Sequence, residues 1–215
     1  MKRLVLPRLY VILDAALLTI PELECATGLA DVGVRLLQYR NKTASARMLY
    51  DSALALATRV MPGGVTLLVN DRADVARLCG ASGVHVGQED LSVEAARSLV
   101  GEEGLVGVST HNLQQFQRAT ETSADYIAVG PVFSTQSKAN PDSVIGLDFI
   151  RQVRPLTNKP IVAIGGIRLE RAGEVIRAGA DSVAVISDIL LASDPARRAE
   201  QYLKVLGEGD QAARA

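Results

Sequence analysis

Short apolar runs recur along this chain, and a polar cluster follows each one. Val34-Arg35-Leu36-Leu37 leads into Gln38, Arg40 and Lys42. Val65-Thr66-Leu67-Leu68-Val69 leads into Asn70 and Asp71, and Gly83-Val84-His85-Val86 into Gln88 and Asp90. Later runs end at Ser109, shortly before Thr135 and Lys138, at Gly165-Gly166, and at Ile186-Ser187. Short continuous apolar runs are the pattern of parallel strands covered on both faces. They predict strands over 9–14, 36–40, 66–70, 83–86, 105–109, 126–129, 161–164 and 182–185. The segments between them carry helical spacing and predict helices over 20–31, 45–61, 72–79, 92–99, 112–121, 146–153, 169–178 and 195–206.

Eight such alternations in 215 residues leave little room for insertions. They predict an α/β fold, a single (β/α)8 TIM barrel over residues 1–206, with 207–215 as a flexible polar tail. An open doubly wound sheet would use fewer strands and a glycine-rich turn after the first; Asp14-Ala15-Ala16 is not one. Ser92 and Asp194, the latter before Pro195, are placed to cap helices. The longest irregular stretch, 131–145, has the size of a lid or binding loop. Polar groups at the C-terminal ends of barrel strands converge on one site.

Composition narrows the class. Lys and Arg total 23 against 24 Asp and Glu, and the cations are scattered, which argues against nucleic-acid binding. No apolar run approaches the roughly 18 residues of a membrane helix. Met1-Lys2-Arg3 is basic, but Pro7 and Arg8 break the following stretch, so a secretory signal is not expected. The only two cysteines, Cys25 and Cys79, sit in apolar helical contexts and read as buried thiols of a cytoplasmic protein. Apolar helix faces fit core or an interface between copies of the chain, so a homo-oligomer is left open.

Alternation directs Gln38, Arg40 and Lys42 to one side of their strand, and Tyr39 and Asn41 to the other. Two cations and an amide suit a diphosphate, with Arg offering a bidentate fork and Lys a point charge. A strand end with solvated charges is the plainer alternative. Asp71 and Asp90 end consecutive strands and are neighbours in a barrel. Two carboxylates beside a diphosphate, with no His or Cys cluster, suit Mg²⁺. Helix capping explains either aspartate alone; the pair beside a cationic strand favours the metal. Gly165-Gly166 and Ile186-Ser187 follow the seventh and eighth strands, where this fold binds phosphate on backbone N–H groups, although glycines also serve tight turns. Thr135, Ser137 and Lys138 can close over the same ligands. His85, between two valines, reads as a core histidine, and His111 as a cap. No Ser-His-Asp or Cys-His set is evident, and no lysine sits at an apolar strand end; both argue against covalent catalysis.

These residues, in this order, resemble the thiamine-phosphate synthase family over nearly the whole chain. The matching segments include Gln38-Tyr39-Arg40-Asn41-Lys42, Val69-Asn70-Asp71-Arg72, Gly83-Val84-His85-Val86-Gly87-Gln88-Glu89-Asp90 and Gly107-Val108-Ser109-Thr110-His111. They continue with Asp125-Tyr126-Ile127-Ala128-Val129-Gly130-Pro131, Thr135-Gln136-Ser137-Lys138, Ala163-Ile164-Gly165-Gly166-Ile167 and Ala184-Val185-Ile186-Ser187. The resemblance implies transfer of a pyrimidine-methyl group from its diphosphate to thiazole phosphate, giving thiamine phosphate and pyrophosphate. It implies one Mg²⁺ per subunit on Asp71 and Asp90. Gln38, Tyr39, Arg40, Asn41, Lys42, Asn70, Ser109 and Lys138 are implied to meet the pyrimidine diphosphate, with Arg40, Lys42, Ser109 and Lys138 acting in catalysis. Thr135, Gln136, Ser137, Gly166, Ile186 and Ser187 are implied to meet the thiazole phosphate. Ser137 stands where the family usually has Thr. A thiazole tautomerase on the same barrel, and a phosphate-binding barrel without catalysis, are the alternatives; retention of Arg40, Lys42, Asp71, Asp90 and Lys138 speaks for the synthase.

Overall fold

The structure, a computed structural model, describes residues 4–135 and 143–208. Eight parallel strands close in chain order: β1 (Leu9–Asp14), β2 (Leu36–Arg40), β3 (Thr66–Asn70), β4 (Gly83–Val86), β5 (Leu105–Thr110), β6 (Tyr126–Val129), β7 (Ile161–Ile164) and β8 (Ser182–Val185). Closure sets Leu9 of β1 opposite Val183 of β8, and Val11 opposite Val185. Outside lie α1 (Glu22–Asp31), α2 (Ala46–Val60), α3 (Ala73–Leu78), α4 (Val93–Val100), α5 (Leu113–Glu121), α6 (Gly146–Val153), α7 (Leu169–Arg177), α8 (Ser187–Leu190) and α9 (Pro195–Leu206). The expected (β/α)8 barrel is the observed one. None of these helices is long and apolar enough to cross a membrane.

Strand alternation sorts the core into two layers. Tyr10, Ile12, Leu36, Leu68, Tyr126 and Val162 fill the barrel. Val11, Leu13, Leu37, Tyr39, Val69 and Val129 point outward into the helical ring. Full burial of each large aliphatic side chain contributes about 1.5–3 kcal/mol. Ser92 Oγ accepts from Ala95 N at 3.2 Å and Asp194 Oδ1 from Arg197 N at 2.9 Å, so both caps form as read from the sequence.

The lower face is closed by a repeated device. Asp125, before β6, accepts from Val106 N at 2.7 Å and pairs with Arg97; Asp181, before β8, accepts from Ile161 N at 2.8 Å and from Arg154 at 2.6 Å. Each aspartate ties one strand start to a helix-borne arginine.

Many helix ends differ from expectation by a single residue, and three differences are more telling. α1 starts at Glu22 because Pro21 stands at its N-cap. β5 runs one residue further, to Thr110, whose hydroxyl donates to Ala128 O at 2.9 Å. α8 has four residues, too few for a helical period to register in sequence. The chain after α9 is anchored at its start: Glu208 accepts from the backbone N–H of Arg8 and, at 3.3 Å, of Leu9. The remainder of the expected tail lies outside the described residues.

Candidate active site at the barrel mouth

Charge reaches the mouth from β2, β3 and β4. The register of β1 and β2 sets Asp14 opposite Arg40, and the two side chains form an ion pair. Asp14 is only 3% exposed and also accepts from Ala16 N at 3.1 Å, so it aims the guanidinium from a fixed base. Lys42 Nζ lies 2.8 Å from Asp71 Oδ2. Asp71 has φ +62°, the one non-glycine positive φ among the described residues. That conformation costs a residue with a Cβ roughly 1–2 kcal/mol, and such outliers gather at functional sites.

Asp90 accepts from Gly87 N at 2.7 Å. Partial burial raises its carboxyl above the usual range; the Asp71 carboxylate beside it raises it further, while the Gly87 N–H and Lys42 pull it down. Two carboxylates that disfavour each other's charge form a place that a cation relieves. The capping explanation falls away for both. Arg72 holds the N-cap position of α3 with no side-chain cap, and Ser92 caps α4. Among the described residues no three or more His, Cys, Asp or Glu side chains gather as a metal site. A cation between Asp71 and Asp90 would therefore complete its shell from ligand oxygens and water, which is how Mg²⁺ is commonly held beside phosphates.

The opposite side of the mouth is built from backbone. A cavity of about 770 Å³ opens there, lined by Ser109, Thr135, Gly165, Gly166, Ile186 and Ser187 among others. Beyond β6 the chain runs beside the end of β7: Val132 N donates to Ile164 O at 2.9 Å and Phe133 N to Gly165 O at 3.0 Å. This approach forces the glycine pair. Gly165 and Gly166 have φ +99° and +63°, and a Cβ on Gly166 would meet Ser134 O and, at 2.9 Å, Phe133 Cβ. Arg171 of α7 lies over the Phe133 ring, 3.6 Å from its centroid, and holds the crossing in place. α8 begins at Ser187, and the first N–H groups of a helix have no intrahelical acceptor. Asp188 anchors α8: its Oδ2 accepts from Tyr202 Oη at 2.6 Å, Arg198 Nη2 at 2.9 Å and Leu169 N at 3.3 Å.

Between the two sides, a file of polar groups crosses the barrel interior. Gln38 Nε2 donates to Tyr10 Oη at 2.6 Å, and Tyr10 Oη lies 3.1 Å from Tyr126 Oη. Tyr126 Oη is 2.8 Å from His85 Nδ1, and His85 Nε2 is 2.8 Å from Ser109 Oγ. His111 sits higher, with Nδ1 donating to Gly130 O at 2.7 Å.

A model of the family described as thiamine monophosphate synthase matches residues 9–189. The chain belongs to that family. It is 55% identical to the thiamine-phosphate synthase of Koribacter versatilis, covering 94% of this chain and 96% of that one. It is 45% identical to the thiamine-phosphate synthase of Chloroflexus aurantiacus, covering 90% of each. Among solved structures it resembles thiamine phosphate pyrophosphorylase from Pyrococcus furiosus, with a TM-score of 0.85 and 33% identity over 94% of this chain and 96% of that one.

Within this family framework, Gln38, Arg40, Lys42, Asn70, Asp71, Asp90 and Ser109 stand at the mouth or just beneath it, and Thr135, Gly166, Ile186 and Ser187 on its glycine side. Gln136, Ser137 and Lys138 fall outside the described residues. Two of the residues implied to meet the pyrimidine diphosphate turn their side chains elsewhere. Tyr39 is fully buried in the outer layer and donates to Glu22 Oε1 at 2.8 Å. Asn41 donates to Tyr39 Oη at 3.3 Å and accepts from Ala44 N at 3.0 Å. Both side chains follow strand alternation away from the mouth: Tyr39 ties β2 to α1, and Asn41 shapes the β2–α2 connection. His85 is buried, as expected of a core histidine, but it faces the barrel interior and reaches Ser109. Asp14, Tyr10, Tyr126 and Asp188 were not singled out in the sequence. The signal for the tyrosines was their position on the same strand faces as Ile12 and Ala128.

Proposed function

We propose that the chain transfers the 4-amino-2-methylpyrimidin-5-ylmethyl group from its diphosphate to a thiazole phosphate, releasing thiamine phosphate and pyrophosphate, with Mg²⁺ as cofactor. One observation carries the reading. Lys42, Asp71 and Asp90 cluster beside Arg40 and across from a glycine-walled cavity. The setting is a chain 55% identical to a named thiamine-phosphate synthase.

Asp71 and Asp90 would hold the cation, whose charge offsets that of the departing diphosphate. Arg40, oriented by Asp14, and Lys42 take further phosphate oxygens. The methylene C–O bond breaks with its electron pair going to the diphosphate oxygen. The pyrimidine-methyl cation so formed accepts the thiazole nitrogen lone pair, making the C–N bond. Such a step needs preorganised charge on the leaving group and no protein nucleophile, which fits a mouth rich in ion pairs. The backbone N–H groups about Gly166, Ile186 and Ser187 suit the thiazole phosphate. Holding that partner in line and excluding water protects the cation from capture by solvent.

The test is a coupling assay with purified protein and both substrates, in Mg²⁺ or in chelator, following thiamine phosphate by oxidation to thiochrome. Mg²⁺-dependent product is expected. Equal turnover in chelator would overturn the metal assignment, and thiazole isomerisation without loss of pyrimidine diphosphate would overturn the coupling reaction.

A further inference from the structure

Barrels of this kind are usually filled by branched aliphatic side chains, and a buried polar group without a partner costs about 1–3 kcal/mol. Here the interior carries Gln38, Tyr10, Tyr126, His85 and Ser109 in one continuous file. The fold makes room for it. Gly107 stands opposite Tyr126 in the sheet, and a Cβ there would come within 2.0 Å of the phenol ring. The His85 ring stacks on Tyr126 with centroids 5.6 Å apart and planes 23° from parallel, while Tyr10 meets Tyr126 edge-on at 80°.

The proton order along the file follows from its ends. Gln38 Nε2 is a donor only, so Tyr10 accepts from it and has its single hydroxyl hydrogen left for Tyr126. Tyr126 then donates to His85 Nδ1, the pairing a phenol and a neutral imidazole favour, since the phenol is the stronger acid and the imine nitrogen the stronger base. His85 must then carry its proton on Nε2 and donate it to Ser109 Oγ. Ser109, having accepted, keeps its own hydrogen for a further partner. A phosphate oxygen can only accept, so the far end demands the same order. Burial pushes both phenols up, so they stay neutral and able to donate.

We propose that Tyr10, Tyr126 and His85 are positioning residues that hold His85 as its Nε2–H tautomer and so turn the Ser109 hydroxyl hydrogen out toward the diphosphate. No proton moves in the reaction; the file sets a direction. The proposal rests on Ser109 meeting the diphosphate, but its first test does not. ¹⁵N-histidine labelling reads the tautomer in the wild-type protein without substrate, and with only two histidines the His85→Gln variant assigns the signals. A bare Nδ1 and protonated Nε2 are expected; protonation on Nδ1 would overturn the proposal.

The second test is a double-mutant cycle on kcat/KM for the pyrimidine diphosphate. Tyr126→Phe should cost about 10-fold with Ser109 present and under about 3-fold in the Ser109→Ala background. Equal losses in both backgrounds would show a role in the fold alone and overturn the proposal. Among conservative changes, His85→Gln places an amide near the Nε2 position and should retain more activity than His85→Asn; the reverse order would also overturn it. If the wild type makes no thiamine phosphate, the coupling reaction fails while the tautomer measurement still stands.

Discussion

The two sides of the barrel mouth are made from different materials. The β2–β4 side presents side chains: Arg40 on Asp14, and Lys42 on Asp71 beside Asp90. The β6–β8 side presents backbone, brought close by Gly165 and Gly166 and fixed by Arg171 on Phe133 and by the Asp188 anchor of α8. On the first side, the groups proposed for function are ones the fold does not need, Arg40 on buried Asp14 excepted, and one of them, Asp71, sits in an unfavourable backbone conformation. On the second, the same glycines that expose the N–H groups allow two chain segments to touch. The charged side should thus separate activity from stability under mutation, and the glycine side should not.

The sharpest break in that comparison is Asp71→Gly. Removing the carboxylate should cut coupling at least ~100-fold, as loss of a metal-holding charge does. Glycine accepts the +62° φ freely, so stability to urea should hold or rise by up to ~1 kcal/mol. Asp90→Ala should show the same loss of activity with an unchanged unfolding midpoint. If either variant unfolds early, the charged side is structural after all.

Gly166→Ala is the converse. Its Cβ meets Ser134 O and Phe133 Cβ, and its φ of +63° is strained for alanine. A cost of about 2–4 kcal/mol in chemical denaturation is expected, together with a raised KM for thiazole phosphate. Wild-type stability in this variant would erase the difference between the two sides.

Arg40→Ala should raise KM for the pyrimidine diphosphate about 10-fold or more and leave that for thiazole phosphate within about 2-fold. It also leaves the buried Asp14 without its cation, at about 1–3 kcal/mol of stability. Separate titration of the two substrates decides whether Arg40 serves one side or both.

The smallest effect belongs to Cys25, remote from both sides. Burial pushes its thiol up to about 11, with Glu24 adding to the rise. The reactive thiolate forms only as pH climbs toward that value, so at pH 8 it is about one part in 1000. Colorimetric thiol reagents should find Cys25 and Cys79 unreactive in the native protein at pH 8 and both reactive in denaturant. Rapid native labelling would mean that α1 opens readily.

The strands were legible because a parallel barrel buries both faces of each one, leaving a continuous apolar signature that turn residues interrupt. The charged side was legible too, since Arg40, Lys42, Asp71 and Asp90 stand out against apolar runs. The rest depends on tertiary placement. Asp14 looks like an ordinary turn residue until closure of the sheet sets it beside Arg40. Tyr10 and Tyr126 read as core aromatics, and only the barrel brings their hydroxyls together, 116 residues apart in sequence. The link between Asp188 and Tyr202 joins α8, too short to leave a pattern, to α9. Tyr39 and Asn41 teach the opposite lesson. Alternation turns their side chains away from the mouth, and the structure places them against Glu22 and the β2–α2 connection.

The most direct test of the division is calorimetric titration of pyrophosphate into the wild type and Asp71→Gly, each with Mg²⁺ and with chelator. Tight binding is expected to the wild type only with Mg²⁺, none to Asp71→Gly, and wild-type behaviour in Ser187→Ala on the glycine side. Binding indifferent to Mg²⁺ and to Asp71, yet lost in Ser187→Ala, would place the diphosphate on the wrong side of the barrel and contradict the account.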